Sequence, residues 1–297
     1  MNLYKFIDAH RASYEIRQLC KALRVNESSY FYWNSVGRAA AEERALEAEA
    51  LTEAVRAVFA TSDGTYGADR VHAQLVRDGW DVSVNTVGRA MANAGLAGIS
   101  GREHSTTTTR RDRLEAPLPD LLNRDFLARA PDLVWYGDIT YIWVETRFWY
   151  LATVIDAATK EVLGWALADH MRTELVTTAL HRAVARRGVI PTGLIFHSDR
   201  GSQYTSTVFA LACAKYRIRQ SAGRRGCCYD NAAAESFFGI IKRELVNRIK
   251  WHTGEQLHQT LYQWIEIWYN RRRLHSTLGY RTPAETYQQH RKTKHAA

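Results

Sequence analysis

Cysteine and long apolar runs are both scarce in this chain of 297 residues. The four cysteines include no C-x-x-C pair, which argues against a zinc knuckle or a thioredoxin-like redox motif. Adjacent Cys227 and Cys228 cannot bridge each other without backbone strain, so we expect reduced thiols. The longest apolar runs, such as Val208–Ala214, are far shorter than the roughly 20 residues that cross a bilayer. Residues 1–11 are interrupted by charges and lack the apolar core of a signal peptide, so we expect a cytosolic protein.

The overall composition is that of a globular protein. Hydrophobic residues make up 46% of the chain and charged residues 24%, which excludes a wholly disordered or fibrous chain. The length suffices for two or three domains of roughly 100–200 residues each and for a full hydrophobic core.

The positive charge is concentrated in two segments. The net charge is +9, and residues 215–250 contain nine basic and three acidic residues, a net of +6. Residues 269–297 contain seven basic residues and one acidic residue, again a net of +6, so the remainder is slightly acidic. Such an arrangement indicates a track for a polyanion, although charge runs are commonly plain solvated surface.

The first part of the chain is predicted to be helical. Apolar spacing predicts a helical region at 1–60. Two short helices separated by Gly79 follow within 61–99, a pattern typical of a DNA-binding helix-turn-helix and also of plain scaffold. Residues 100–131 contain a threonine run and the prolines Pro117 and Pro119 among others, and we assign them to a linker.

Residues 132–250 have the pattern of a mixed α/β domain. Val134–Val144, Tyr150–Ile155 and Val162–Ala168 are rich in aromatic and β-branched residues and predict three antiparallel strands. Helices and short strands then alternate, which predicts a mixed sheet with helices on its faces. We assign the tryptophans of these strands to the core: Trp135, Trp143 and Trp165. Residues 251–297 are predicted to form a C-terminal helix and a basic tail.

Three carboxylates of this domain are placed where they could do chemistry. Asp138 lies within the first strand, where a buried carboxylate is unfavourable unless it is paired, hydrogen-bonded or bound to metal. Asp199 ends the fourth strand, at the sheet edge where open α/β folds bind ligands. Glu235 lies on the helix after a glycine-bearing loop. If that helix packs beside the central strands, the three carboxylates converge. Taken singly, Asp138 could be a core Asp, Asp199 a loop cap, and Glu235 a residue favoured by the helix dipole.

The residue types point to a hard metal ion. Three carboxylates without a His or Cys cluster suit Mg²⁺ or Mn²⁺. Asn231 and Lys242, four residues before and seven after Glu235, share its helix face. Arg224 and Arg225 lie in the preceding loop, where phosphate contact and plain exposure fit the sequence equally well.

Two polar residues nearby have milder interpretations. We assign His197 to a buried, hydrogen-bonded position rather than to phosphate orientation. We assign Asp156 to a turn at a strand end, with a supporting role near the metals left open.

These residues lie in segments that resemble the insertion sequence 3 family of bacterial transposases, specifically its OrfB product with an integrase-like core. The matching core segments are Trp135–Tyr141, His197–Tyr204 and Tyr229–Phe238. There are 35 residues between Asp199 and Glu235, the spacing that gives the D-D-35-E group its name.

The resemblance covers nearly the whole chain. Residues 66–96 and 269–283 match the family as well. Residues 221–228 depart from it, because the usual loop more often begins Ser-Met-Ser and carries Asn before a single Cys. The departures do not touch the three acids.

The resemblance implies a ribonuclease-H-like fold and the breakage and joining of DNA strands. It implies two divalent ions, Mg²⁺ or Mn²⁺, held by Asp138, Asp199 and Glu235. The implied partners are terminal inverted repeats and target DNA, further copies of the chain that hold two DNA ends together, and an upstream OrfA product or frameshift fusion.

We expect DNA contacts from amide and basic side chains around the acids and in the tail. These residues are Asn231, Lys242, Arg200, Arg224, Arg225, Arg271, Arg272 and Arg273. Two alternatives stay open: a sequence-specific DNA-binding regulator with an inert core, and a stand-alone metal-dependent nuclease that only hydrolyses DNA.

Overall fold

The chain folds into two compact units, Met1–Gly98 and Ile99–Ala297. The computed structural model describes residues 3–99, 118–122, 128–223 and 232–296, and for residues 232–235 and 294–296 it describes the backbone course only. In this described part of the chain, no helix combines the length and apolar character needed to cross a membrane.

The first unit is helical. Its helices are α1 (Leu3–His10), α2 (Ile16–Ala22), α3 (Glu27–Tyr32), α4 (Arg38–Thr61), α5 (Ala68–Arg77) and α6 (Val84–Asn93), with a π-helical turn between α3 and α4. Helix α6 begins after Ser83, whose hydroxyl accepts a hydrogen bond from the Thr86 amide at 3.2 Å. This side chain satisfies a backbone donor that the helix itself leaves unpaired, which fixes where α6 starts.

Helix α4 packs against both α5 and α6 through Leu51, Val55 and Val58. The predicted boundary between segments 1–60 and 61–99 falls at the end of this helix. The long helix is part of the same hydrophobic core as the helix pair, because its apolar stripe faces that pair.

The second unit is built on one mixed sheet. The strands are β1 (Val134–Val144), β2 (Arg147–Asp156), β3 (Val162–Ala168), β4 (Ile195–Ser198) and β5 (Arg219–Ala222), in the order β3-β2-β1-β4-β5. The first three are antiparallel, and β4 and β5 run parallel to β1. The predicted fold class, a mixed sheet of ribonuclease-H-like type after an all-helical region, is confirmed.

Helices cover both faces of this sheet. Helices α7 (Thr173–Arg187), α8 (Ser202–Thr205) and α9 (Thr207–Lys215) pack on one face, and α10 (Ala232–Glu244) and α11 (Gly254–Tyr262) pack on the other. Gly164 on β3 permits the close approach of α7, because a Cβ at this position would lie 2.1 Å from the carbonyl oxygen of Ala179.

The segment after residue 250 belongs to the same unit. Leu257, Leu261 and Ile265 are fully buried in one cluster with Ile142 and Leu151 of the sheet.

The Asn270 side chain binds the outer edge of β3. Its Oδ1 accepts from the Val162 amide and its Nδ2 donates to the Val162 carbonyl, both at 3.0 Å. In the region predicted as a C-terminal helix and basic tail, residues 251–297, the first part therefore completes the core, and the last part is a helix, α12 (Pro283–Ala296).

Candidate active site

Asp138 on β1 and Asp199 directly after β4 occupy equivalent positions along two adjacent parallel strands. The β1–β4 register pairs Tyr136 with His197, and two further residues along each chain reach the two aspartates. Asp199 directly follows the last residue of β4, so its side chain lies where the strand opens into a loop. The sheet therefore brings together two of the three predicted carboxylates.

Backbone amides orient both carboxylates. The Ile139 amide donates to Asp138 Oδ1 at 2.8 Å, and the Gly201 amide donates to Asp199 Oδ1 at 3.1 Å. Surrounding protein raises the pKa of Asp199 above its ordinary value, although part of the residue is open to solvent, and the Gly201 hydrogen bond opposes that rise. A cation beside this carboxylate would lower its pKa again.

Tyr204 lies beneath the two aspartates. Burial raises the pKa of its phenol well above the ordinary value, and the negative charges of Asp138 and Asp199 add to that rise. Both carboxylates are thus close enough to this ring to act on it electrostatically. The Tyr204 backbone carbonyl also accepts a hydrogen bond from Gln220 Nε2 at 3.0 Å, which ties α8 to β5.

Gly137 makes room for this packing. A Cβ at residue 137 would lie 2.2 Å from Phe196 Cζ and 3.2 Å from Tyr204 Cε1. Because residue 137 has no side chain, β1 can lie directly against Phe196 and Tyr204, and this packing fixes the backbone that carries Asp138. Neither Gly137 nor Tyr204 was assigned a role from sequence, although a glycine amid bulky strand residues was a visible signal.

Helix α10 packs against β1 and presents Lys242 to the site. The Lys242 ammonium lies 5.3 Å from the centre of the Tyr141 ring. Burial lowers the pKa of Lys242, and the negative charge of Asp138 partly offsets that effect. Lys242 is therefore within electrostatic range of Asp138, and its contact with DNA stays a prediction.

Glu235 lies on α10, two helical turns before Lys242 and on the same face. Its side chain lies outside the described residues, as do Asn231, Arg224 and Arg225. Among the described side chains, no three His, Cys, Asp or Glu residues gather around one point. The convergence of Glu235 with the two aspartates stays a prediction.

The predicted DNA-contacting arginines have different surroundings. Arg200 is half-buried and donates to the Gly223 carbonyl at 2.8 Å and to the Leu118 carbonyl at 2.9 Å, so it fastens chain segments beside the site. Arg271 and Arg272 are exposed.

Arg273 corrects the sequence prediction. It is only 1% exposed and binds both carboxylate oxygens of Glu244, so it is unavailable to a DNA backbone. A buried guanidinium needs such a partner, and the sequence alone does not reveal it.

His197 and Asp156 take structural positions. His197 is fully buried, with Nδ1 at 2.9 Å from Ser221 Oγ. Asp156 is fully buried in a turn, where it accepts hydrogen bonds from the amides of Asp132, Ala158 and Thr159 and from the Thr159 hydroxyl. The turn interpretation of Asp156 agrees with these contacts, which occupy its carboxylate away from Asp138.

Family comparisons bear on the whole chain. Two models described as Integrase core domain match residues 128–228 and 216–283, and a model described as HTH-like domain matches residues 46–104.

Two curated transposases are similar over nearly their full length. The chain is 34% identical over 282 residues to the transposase InsF for insertion sequence IS3A of Escherichia coli (strain K12), covering 95% of this chain and 97% of that protein. It is 34% identical over 283 residues to the transposase for insertion sequence element IS629 of Shigella sonnei, covering 94% and 93%.

Solved structures show more distant similarity. The simian T-cell lymphotropic virus intasome gives a TM-score of 0.46 at 18% identity, covering 72% of this chain and 69% of that one. The catalytic domain of Mos1 mariner transposase gives a TM-score of 0.41 at 12% identity, covering 54% and 76%.

Proposed function

The chain belongs to the insertion sequence 3 family of transposases, and on that premise we propose that Asp138, Asp199 and Glu235 form its catalytic centre. The observation that carries the proposal is that Asp138 and Asp199 each follow the paired residues Tyr136 and His197 of two adjacent parallel strands by two positions, with α10, which carries Glu235 and Lys242, packed against β1. The reaction is cleavage at the 3′ end of the element followed by strand transfer into target DNA.

The donor set fits a pair of hard divalent cations. Two carboxylates from adjacent strands, joined by a third from α10, supply oxygen ligands of the kind Mg²⁺ and Mn²⁺ prefer. Asp138, Asp199 and Glu235 would hold these ions, which would supply activation of the attacking oxygen and charge stabilisation of the leaving 3′ oxygen.

The protein groups around the acids hold and shape the site. Lys242 supplies a positive charge for a DNA phosphate next to the reacting one. Tyr204 and Phe196 form the buried support beneath Asp138, and Arg200 secures the loops on either side. These residues act by positioning.

The first unit recognises the ends of the element. Helices α5 and α6 form a helix pair whose second helix has an exposed polar face carrying Asn85 and Arg89. A helix of this kind enters the major groove and contacts base edges. The terminal inverted repeats are the corresponding substrate.

The active assembly contains more than one copy of the chain, because two DNA ends must be held together for joining. It acts in the bacterial cytosol, where its DNA substrate lies, either with an upstream OrfA product or as a frameshift fusion with it. The requirements of the reaction support the assembly of copies, the location and the upstream partner.

The test is a reaction of the full chain with end-labelled DNA that contains the inverted repeat flanking its gene. With Mg²⁺, we expect nicked and joined products. Glu235→Gln should bind the repeat as the wild type does and lose both products, whereas the control Glu174→Gln, on the exposed first turn of α7, should keep them.

The alternatives give different results. Nicking without joined products identifies a hydrolytic nuclease, and binding without nicking identifies a regulator with an inert core. If Glu235→Gln loses binding together with cleavage, its assigned metal role is wrong.

A further inference from the structure

Three exposed aromatic rings lie together at the end of the β1–β2 hairpin. Tyr141 is 57% exposed, Trp143 54% and Phe148 42%. Trp143 and Phe148 are cross-strand partners with ring centres 4.8 Å apart, and Tyr141 and Phe148 are 5.2 Å apart. The three are called the aromatic patch below. Its exposure overturns the prediction that Trp143 belongs to the core.

The alternation of β1 explains why these rings are not buried. Ile142 and Val144 point into the core beneath α10 and α11, so Tyr141 and Trp143 point to the other face. In the part of the chain that the structure describes, β4 pairs with β1 only over Val134–Tyr136, so the later half of β1 is open on that side.

The aromatic patch lies on the opposite face of β1 from the Asp138 side chain, beside the open edge of that strand. Tyr141 and Trp143 follow Asp138 by three and five residues on the same strand, or about 10 Å and 17 Å along it. The Lys242 ammonium lies near both the candidate active site and the aromatic patch: the charge of Asp138 acts on its pKa, and it is 5.3 Å from the centre of the Tyr141 ring.

We propose that the aromatic patch binds unpaired bases of the reacting DNA, at about three to five nucleotides from the phosphate that is cleaved or joined. One strand of DNA advances about 3.4 Å per nucleotide, so a strand that crosses the open edge of β1 and then follows it covers the separation along β1 in about three to five nucleotides. Ring faces stack on bases of any sequence once the bases are unpaired. This inference rests on the proposed function of the acids.

Charge and position favour DNA as the occupant over a second copy of this chain. The Lys242 ammonium lies against the Tyr141 ring and within electrostatic range of Asp138, and its positive charge suits a phosphate backbone that crosses the open edge of β1. The bases come either from a frayed element end or from a distorted target, and both sources offer the same stacking chemistry.

The experiment compares two forms of repeat DNA bound to the full chain. One has five unpaired nucleotides next to the cleavage position, and the other is fully paired. Trp143→Ala should weaken binding of the frayed form about tenfold, with little change for the paired form, and Trp143→Phe should restore most of the loss. Tyr262→Ala, which removes a 49% exposed ring from α11, is the control and should bind both forms normally.

Photocrosslinking identifies the DNA involved. 5-Iodouracil is placed three to five nucleotides from the reacting phosphate, in the element end in one sample and in the target in another. A crosslink to Tyr141, Trp143 or Phe148 from either sample supports the proposal and names the source of the bases.

Other outcomes overturn it. Equal binding by Trp143→Ala and wild type, an equal loss for both DNA forms, or a crosslink elsewhere excludes base stacking at the patch. A smaller assembly of Trp143→Ala in sedimentation, with unchanged affinity for frayed DNA, assigns the patch to contacts between copies. Wild-type nicking in Mg²⁺ is measured in parallel, so that failure of this inference is distinguished from failure of the proposed function.

Discussion

Arg273 and Glu244 form a two-point ion pair inside the second unit. Arg273 Nε lies 2.8 Å from Glu244 Oε2, and a second guanidinium nitrogen lies 2.5 Å from Oε1. The two side chains are 1% and 6% exposed, so neither charge is solvated by bulk water. The pair joins the end of α10, the helix of Glu235 and Lys242, to the segment that follows α11.

We expect Arg273→Ala to destabilise the second unit by about 3–5 kcal/mol, because it leaves the Glu244 carboxylate buried without its cation. Arg273→Lys should recover only part of this, since an ammonium cannot make the two-point contact. Urea unfolding followed by tryptophan fluorescence measures the free energy of unfolding.

Arg271→Ala is the matched control for Arg273→Ala. Arg271 is exposed two residues away, so its removal should leave the unfolding curve unchanged and weaken DNA binding if it contacts phosphate. If Arg273→Ala unfolds at the wild-type urea concentration and loses DNA affinity instead, the buried pair does not support the fold.

The sheet was predictable because its residues carry local signals. The aromatic and β-branched composition of β1 and β3 gave their ends correctly, and the antiparallel order followed from the short turns between them. Pairing across long separations was not predictable in this way. Asn270 binding to Val162 spans 108 residues, and nothing near either residue indicates the other.

In the candidate site too, the residues with local signals were predicted and those that depend on distant packing were not. Asp138 was singled out as a carboxylate in an apolar strand, Asp199 by its place at a strand end, and Lys242 by its helical spacing from Glu235. The environment of Arg273 and the exposure of Trp143 were misjudged, since each depends on which element covers the side chain. Burial of a guanidinium requires a partner such as Glu244, and a sequence pattern does not provide its location.

Gly137→Ala should lower both stability and cleavage. The new methyl group meets Phe196 Cζ, 2.2 Å from the ideal Cβ position, and the buried Phe196 ring has little room to move. Overpacking of this kind costs about 1–3 kcal/mol, and here it also displaces the backbone that carries Asp138. Thermal unfolding and the nicking rate measure the two effects.

The double variant Gly137→Ala, Phe196→Leu tests the cause. Because the leucine removes the ring atoms that clash, its loss of stability should be smaller than the sum of the two single losses. Gly67→Ala is the control, since among the described residues no atom beyond its chain neighbours lies within 4 Å of the added Cβ. Additive losses in the double variant would show that the ring contact is not responsible.

Lys242→Ala should reduce the salt dependence of DNA binding. Each phosphate contact contributes roughly one unit to the slope of the logarithm of affinity against the logarithm of salt concentration, so the slope should fall by about 1. Lys242→Arg should keep it, because the charge remains. Titrations of the repeat DNA at several salt concentrations give the slopes.

Lys215→Ala is a close control, since the Lys215 ammonium also lies against a tyrosine ring, 5.4 Å from the centre of Tyr216. An equal change of slope in both variants would contradict a specific contact by Lys242.

Arg89→Ala should weaken recognition of the inverted repeat at one base pair. Helix α6 buries Val87 and Met91, which leaves Asn85 and Arg89 on its exposed face, four residues apart. An arginine on such a helix pairs with guanine, and the contact discriminates by about 1–3 kcal/mol. Binding to a panel of repeats, each with one base pair changed, should show that Arg89→Ala loses the base preference at one position and keeps it elsewhere.

Arg56→Ala is the control, because Arg56 is exposed on α4 of the same unit, and this variant should keep every base preference. A uniform loss of affinity across the panel for Arg89→Ala would instead indicate a phosphate contact.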